Sequence, residues 1–215
     1  MRWILLLFPL WLSAQQNAAL DADFRFREGV YFTPEALAAN EPDAVWGEID
    51  GEMVQLPEDY RVQIDSFGYK GRLYVAPYAI SLDGLPYLFV REDRQRAFHE
   101  FAGLRQPGRY ATVAYDTLVN TRKLMQAFNP ATGRPFREGW VERRRREEVR
   151  RIVDMATGRR YPLAVATVVQ LVATEKDLRE AVAKLQDSDE QKLVRALKLY
   201  NDRHPFLIPR SEAPD

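Results

Sequence analysis

Between residues 44 and 90 short apolar and aromatic runs alternate with turn signals, the pattern of an antiparallel sheet. Asp50-Gly51 separates residues 45–49 from 53–56, and Asp-Gly between two such runs predicts a type I′ hairpin, because both central residues need positive φ. Tyr69-Lys70-Gly71 separates 62–67 from 73–80, and Ser81-Leu82-Asp83-Gly84 leads into 87–90. This spacing predicts a meander of four or five strands. Residues 110–119 alternate clearly as a further strand, whereas 95–104 fit either a strand or a helical turn.

The flanks read differently. Phe24-Arg25-Phe26 predicts a short strand. Thr33-Pro34-Glu35 opens a short helix, with a capping hydroxyl, proline at the first helical position and an acid at the positive end of the dipole; Asn40 and Pro42 stop it. Two Ala-Thr-Gly-Arg stretches, 131–134 and 156–159, look like copies of one hairpin-type turn. The run 142–151 fits an exposed, charged strand or helix leading into the second of them. Valine-rich 163–172 has strand propensity, yet Val165, Val168, Val169 and Val172 also share a helix face. Thr174 and Asp177 open a helix carrying Leu178, Ala181, Val182 and Leu185. After Asp187-Ser188-Asp189, where Ser188 and Gln191 resemble a capping box, a second helix buries Leu193, Val194, Leu197 and Tyr200. Asn201 ends it and Pro205 forbids its continuation.

These elements predict an α+β fold: an antiparallel β-sheet, as a meander or partly closed barrel, with a C-terminal pair of helices packed on it. Residues 15–155 form the β-rich region, with its short helix near 34–39; 156–210 form the mainly helical region, and the two make one domain. Residues 1–14 read as a signal peptide, with a positive start at Arg2, an apolar run from Trp3 to Leu12, and Ser13-Ala14 for cleavage. Cleavage after Ala14 is favoured over a cut after Ala19. The run is too short to span a bilayer, where about 20 apolar residues are needed. The protein is therefore expected to be exported, periplasmic or secreted, and soluble after cleavage.

Lysine plus arginine and aspartate plus glutamate both number 31, so no global field points to nucleic acid or an acidic membrane surface. With no cysteine the chain has no disulfide, thiolate metal site or thiol nucleophile.

Glu28-Gly29-Val30-Tyr31-Phe32-Thr33 followed by a short helix, Asp154-Met155-Ala156-Thr157-Gly158 with its continuation to Leu163, and the closing Tyr200-Asn201-Asp202-Arg203-His204-Pro205 occur in this order. In this the chain resembles a group of exported bacterial proteins of uncharacterised function. The resemblance covers both ends of the mature chain and implies helix for 166–172. The group often carries an acid or lysine after the Thr-Gly pair, where this chain has Arg159. No catalytic residue is established for the group, so none carries over.

Candidate chemistry is sparse. His99 and His204 lie far apart with no ligand partner in sequence, which argues against a histidine metal site; His204, just past a helix end, suits the last carbonyls. Ser66, Ser81, Ser188 and Ser211 are outside any Gly-x-Ser-x-Gly elbow, and no glycine-rich phosphate loop is present. No cofactor is expected. Glu48, Asp50, Glu58, Asp59 and Asp65 are available for a carboxylate pair. Arg143, Arg144, Arg145, Arg146, Arg150 and Arg151 are the candidate anion-binding set, partly neutralised by Glu142, Glu147 and Glu148. Tyr31, Trp46, Tyr69, Tyr78, Tyr87 and Trp140 suit either a carbohydrate platform or the core. The leading expectation is a non-catalytic binding or envelope-interaction module, its partner another envelope protein or an anionic glycan. The rival is a periplasmic hydrolase using a carboxylate pair.

Overall fold

A computed structural model describes residues 17–73, 76–93, 98–128 and 130–210. The signal-peptide reading of 1–14 lies outside them. Along the chain the strands are β1 (Asn17–Ala19), β2 (Gly29–Tyr31), β3 (Ile49–Leu56), β4 (Arg61–Tyr69), β5 (Arg72–Leu73) and β6 (Ala79–Leu82). They continue as β7 (Leu85–Asp93), β8 (Phe98–Gln106), β9 (Tyr110–Phe128), β10 (Pro135–Asp154), β11 (Arg160–Pro162) and β12 (Leu207–Pro209). The helices are α1 (Pro34–Ala39), α2 (Val165–Leu171), α3 (Lys176–Val182) and α4 (Glu190–Arg203).

The fold is α+β, as the sequence predicts: a curled antiparallel sheet with C-terminal helices. The sheet runs β11-β10-β9-β8-β7-β6-β2, with β4 branching from β8 and carrying β3 and β5; β1 and β12 pair separately. Three C-terminal helices are present rather than two, because 165–171 are helical. Residues 98–104 lie in β8, and the arginine run lies in β10.

Asp50-Gly51 is not a hairpin turn. β3 runs straight through it, and the register against β4 shifts between Asp50 and Glu52, which makes the glycine part of a bulge. Gly51 has φ +133, and a Cβ there would stand 2.5 Å from the Asp65 carbonyl oxygen. The turn from β3 to β4 is the 3-10 segment Pro57–Asp59, closed by Tyr60 at φ 53. The Asp-Gly pair that does form a two-residue turn is Asp83-Gly84, with φ 52 and 72, and Lys70-Gly71 does the same between β4 and β5. Residues 73–80 are not one strand, since β5 and β6 occupy different places in the sheet.

Three further readings change. Residues 24–26 are not a strand, although Phe24 and Phe26 are core residues and the Phe26 N–H donates to the Gly84 carbonyl. Ser188 does not cap α4; the neighbouring Asp189 carboxylate instead accepts from the Gln186 N–H and the Lys192 ammonium. α4 continues past Asn201 to Arg203. The α1 signals hold, with Thr33 Oγ1 accepting from the Ala36 N–H and Asn40 closing the helix at φ 54. Both Ala-Thr-Gly stretches turn through a left-handed glycine, Gly133 at φ 64 and Gly158 at φ 70.

Ile152 and Tyr110, at the base of the β9–β10 hairpin, pack with Val168, Val172, Leu178, Leu193 and Leu197 of the helices. Asn201 is buried beneath this contact. Its Oδ1 accepts from the Tyr110 N–H at 3.0 Å and its Nδ2 donates to the Tyr110 carbonyl at 3.1 Å, so α4 completes the hydrogen bonding of the first residue of β9. At the far side, Arg203 bridges Glu175 at 2.6 Å and Asp177 at 2.8 Å. The His204 ring stacks on Tyr200 and reaches Glu175 at 2.8 Å rather than the last carbonyls of the helix.

Leu197 is fully buried and Lys198 is exposed. Leu197→Ala should therefore cost roughly 2–5 kcal/mol and Lys198→Ala under about 0.5 kcal/mol, as read from denaturant melts. Equal losses would mean that α4 is not docked. A second expectation concerns acid. The His204 and then the Arg203 hydrogen bonds hold the Glu175 carboxyl below its ordinary 4.5, and Arg203 holds Asp177 below its ordinary 3.8. Their contribution is present above those ordinary values and is lost as pH falls through the lowered ones. The thermal midpoint should decline below about pH 4.5, and Glu175→Gln should flatten that decline. An identical acid limb in the variant would remove the cluster from the account.

Candidate functional site

The branch in the sheet creates the candidate site. β8 pairs with β7 along one edge. Along its other edge it pairs with β4 at residues 98–102 and with β9 at Leu104 and Gln106. β4 and β9 therefore diverge from a common strand, and an open trough of about 900 Å³ lies in the fork. Its walls are Glu52 and Val54 of β3, Gln63 and Asp65 of β4, and Leu118 and Arg146 of the β9–β10 hairpin.

Four charges cross the trough floor, one from each strand meeting there. Arg91 Nε on β7 donates to Glu100 Oε2 on β8 at 2.6 Å. Arg61 Nη1 on β4 lies 3.5 Å from Glu100 Oε1, and its Nη2 lies 3.1 Å from Asp116 Oδ2 on β9. The Glu100 side chain is 1% exposed, and two guanidinium groups stand where water would otherwise solvate it. The row is a neutral set of two cations and two anions. It joins the body of the sheet to the diverging hairpin.

Beyond this floor the hairpin leaves the body as a two-stranded arm. From Thr117 on β9 to Ala127, and from Arg137 to Glu147 on β10, its side chains alternate between two uncovered faces. Leu118 is 59% and Trp140 66% exposed on one face, with Leu124 directly across from Trp140. Met125 and Val141 are exposed on the other face. An isolated two-stranded ribbon is at best marginally stable, so this arm depends on the anchoring of its base.

The six arginines do not converge. Arg144, Arg146 and Arg150 share one face of β10 with Leu118; Arg143, Arg145 and Arg151 lie on the other. Arg145 pairs with Glu147, and Arg150 pairs with Glu148 at 3.4 Å and Glu190 at 3.5 Å. Only Arg146 of the six reaches the trough. Of the carboxylates singled out in the sequence, only Asp65 does so. Tyr31 is buried; Trp46, Tyr69, Tyr78 and Tyr87 are half-buried against the core; Trp140 alone of that group stands free on the arm. His99 is buried between the rings of Phe67 and Phe89. Among the described residues no three His, Asp or Glu side chains gather as a metal site, and no helix is long and apolar enough to cross a membrane.

No protein-family model, curated protein or solved structure matches this chain. Arg61, Arg91 and Glu100 escape a sequence reading because each stands singly in a strand pattern. Period two places Glu100 on one face with Phe98, Ala102 and Leu104, a single acid among apolar positions, and only the pairing of β4 and β7 on either side of β8 supplies the arginines it lies against.

Glu100→Ala should take the carboxylate from Arg91 and leave Arg61 with Asp116 alone, and cost roughly 2–4 kcal/mol, below the cost of a fully buried pair because Arg91 is 40% exposed. Glu100→Gln, which keeps an acceptor for Arg91, should lose less. Urea melts of both beside Glu52→Ala, an exposed control expected within about 0.5 kcal/mol, decide it. A harmless Glu100→Ala would remove the row from any structural role.

Proposed function

We propose that this chain is an exported, non-catalytic binding or envelope-interaction module that presents the β9–β10 arm to its partner. The observation that carries the reading is the arm itself, with apolar side chains on both faces and nothing of the described chain covering them. Exposed apolar surface of this kind marks an interaction site. Arg144 and Arg146 beside Trp140 and Leu118 suit a partner that is both anionic and able to pack on rings, such as an anionic glycan or an acidic envelope protein.

Export rests on the residues of 1–14, and β1 supports the earlier of the two cuts. Cleavage after Ala14 leaves Asn17–Ala19 to pair with β12, whereas cleavage after Ala19 removes that strand. The rival reading, a periplasmic hydrolase with a carboxylate pair, has its best candidates in Glu52 and Asp65, which lie opposite each other across β3 and β4. Both are exposed, whereas a general acid needs a carboxyl shielded from water and cations. The shielded carboxyl of the trough, Glu100, lies against two guanidinium groups, the opposite environment.

Dextran sulfate serves as the probe. Titrated into the mature protein it should shift the Trp140 emission, and Arg144→Ala with Arg146→Ala should weaken the response at least about tenfold, the loss of two charge-assisted contacts. An unchanged response in the double variant would remove the arginines from the binding surface. Cleavage of glycans that Glu52→Gln abolishes would favour the hydrolase.

A further inference from the structure

The arm has two free edges as well as two free faces, and they differ chemically. The outer edge of β10 carries four consecutive arginines, a charge density that discourages strand addition. From Thr117 to Phe128, β9 reads Thr-Leu-Val-Asn-Thr-Arg-Lys-Leu-Met-Gln-Ala-Phe, with Arg122 and Lys123 its only charges. Beyond Val113 no strand among those described pairs with the β9 edge that faces the fork. Arg122 reaches Glu142 across the hairpin, and no carboxylate among the described residues pairs with Lys123.

The other wall of the fork ends in a free edge of opposite charge. β3 pairs with β4 alone among the described strands. It carries Asp50 and Glu52 and no basic residue, and Val54, which faces the trough, is 53% exposed. An extended, exposed strand edge is a template for another strand. An acidic edge and a basic edge on one molecule are complementary to each other on two molecules. We infer that a second copy of this chain docks here: the β9 edge of each copy takes the β3 edge of the other, closing a two-fold dimer with two equivalent seams.

Charge favours this occupant over pairing of arm with arm. Residues 117–147 hold eight basic and three acidic residues in a chain of zero net charge, so two arms side by side repel, while arm against body attracts. The backbone edges favour a protein partner over a lipid surface, since lipid offers nothing to the unpaired N–H and C=O groups. Docking through β9 leaves Arg143 to Arg145 on β10 outside the seam, while Leu118 and Arg146 line the fork and belong to both surfaces.

Sedimentation velocity on the full mature protein tests the proposal. The wild-type chain should dimerise with rising concentration, and the dimer should weaken as sodium chloride rises from about 50 mM to about 0.5 M. Charge reversal on one seam partner, Arg122→Glu with Lys123→Glu, should weaken dimerisation at least about tenfold, and so should Asp50→Lys with Glu52→Lys. Mixed in equal amounts, the two variants should form a 1:1 heterodimer, because each supplies what the other lacks. Recovery on mixing also shows that both variants are folded. Should either double variant misfold, the exposed single reversals Lys123→Glu and Glu52→Lys replace it. A wild-type chain that stays monomeric overturns the proposal, as does a dimer indifferent to the β3 reversal, which would indicate arm-to-arm pairing.

Discussion

Glu100 can be buried only between Arg91 and Arg61, and that requirement reaches through the whole sheet. A carboxylate removed from water needs its charge balanced. Here the balancing groups come from the strands on either side of β8, and Arg61 passes the contact on to Asp116 of β9. The row thus ties together the four strands that meet where the sheet divides. Hydrogen bonding alone would leave β4 and β9 competing for one edge of β8. They share it instead, and the ion row holds them at the point of divergence.

The arm follows from that division. Once β9 leaves β8 it has only β10 for company, and ten or so residues of each strand gain nothing from the core. The base must then be firm, and the helices make it so. Asn201 supplies both hydrogen bonds of Tyr110 from α4, and a Cβ at Gly108 would come within 2.3 Å of the Asn201 amide nitrogen. Glycine is required there both by this approach and by its φ of +126. Helices, hairpin base and ion row therefore act together to support a projecting ribbon that is itself unsupported, an arrangement suited to presenting a surface.

Much of the local structure was legible in the residues. Thr33-Pro34 and Asn40 mark the limits of α1 because capping chemistry acts within four residues. Lys70-Gly71 and Asp83-Gly84 turn where their backbone preferences say they should. Leu193, Leu197 and Tyr200 are buried because a helix puts them on one stripe. The trough was not legible, because Glu52, Arg61, Arg91, Glu100 and Asp116 stand on five different strands and acquire meaning only from register. The conspicuous arginine run misled in the opposite direction, since consecutive residues in a strand point to alternate faces.

By itself the sequence determined the elements whose causes are local: caps, tight turns, amphipathic stripes, the alternating pattern of an antiparallel sheet, and the absence of thiol chemistry. Tertiary structure decided which strands are neighbours, and with that the use of each ambiguous signal. Asp50-Gly51 became a bulge and not a turn because β4 runs past it with the Asp65 carbonyl where a side chain would stand. Valine-rich 165–171 became helix because Val168 packs with Val182, Leu193 and Leu197 of the neighbouring helices instead of joining the sheet. The physical reason is common to both. Propensities within a few residues differ by about 1 kcal/mol or less, whereas burial against a partner is worth several times that, and the partner is chosen by the whole chain.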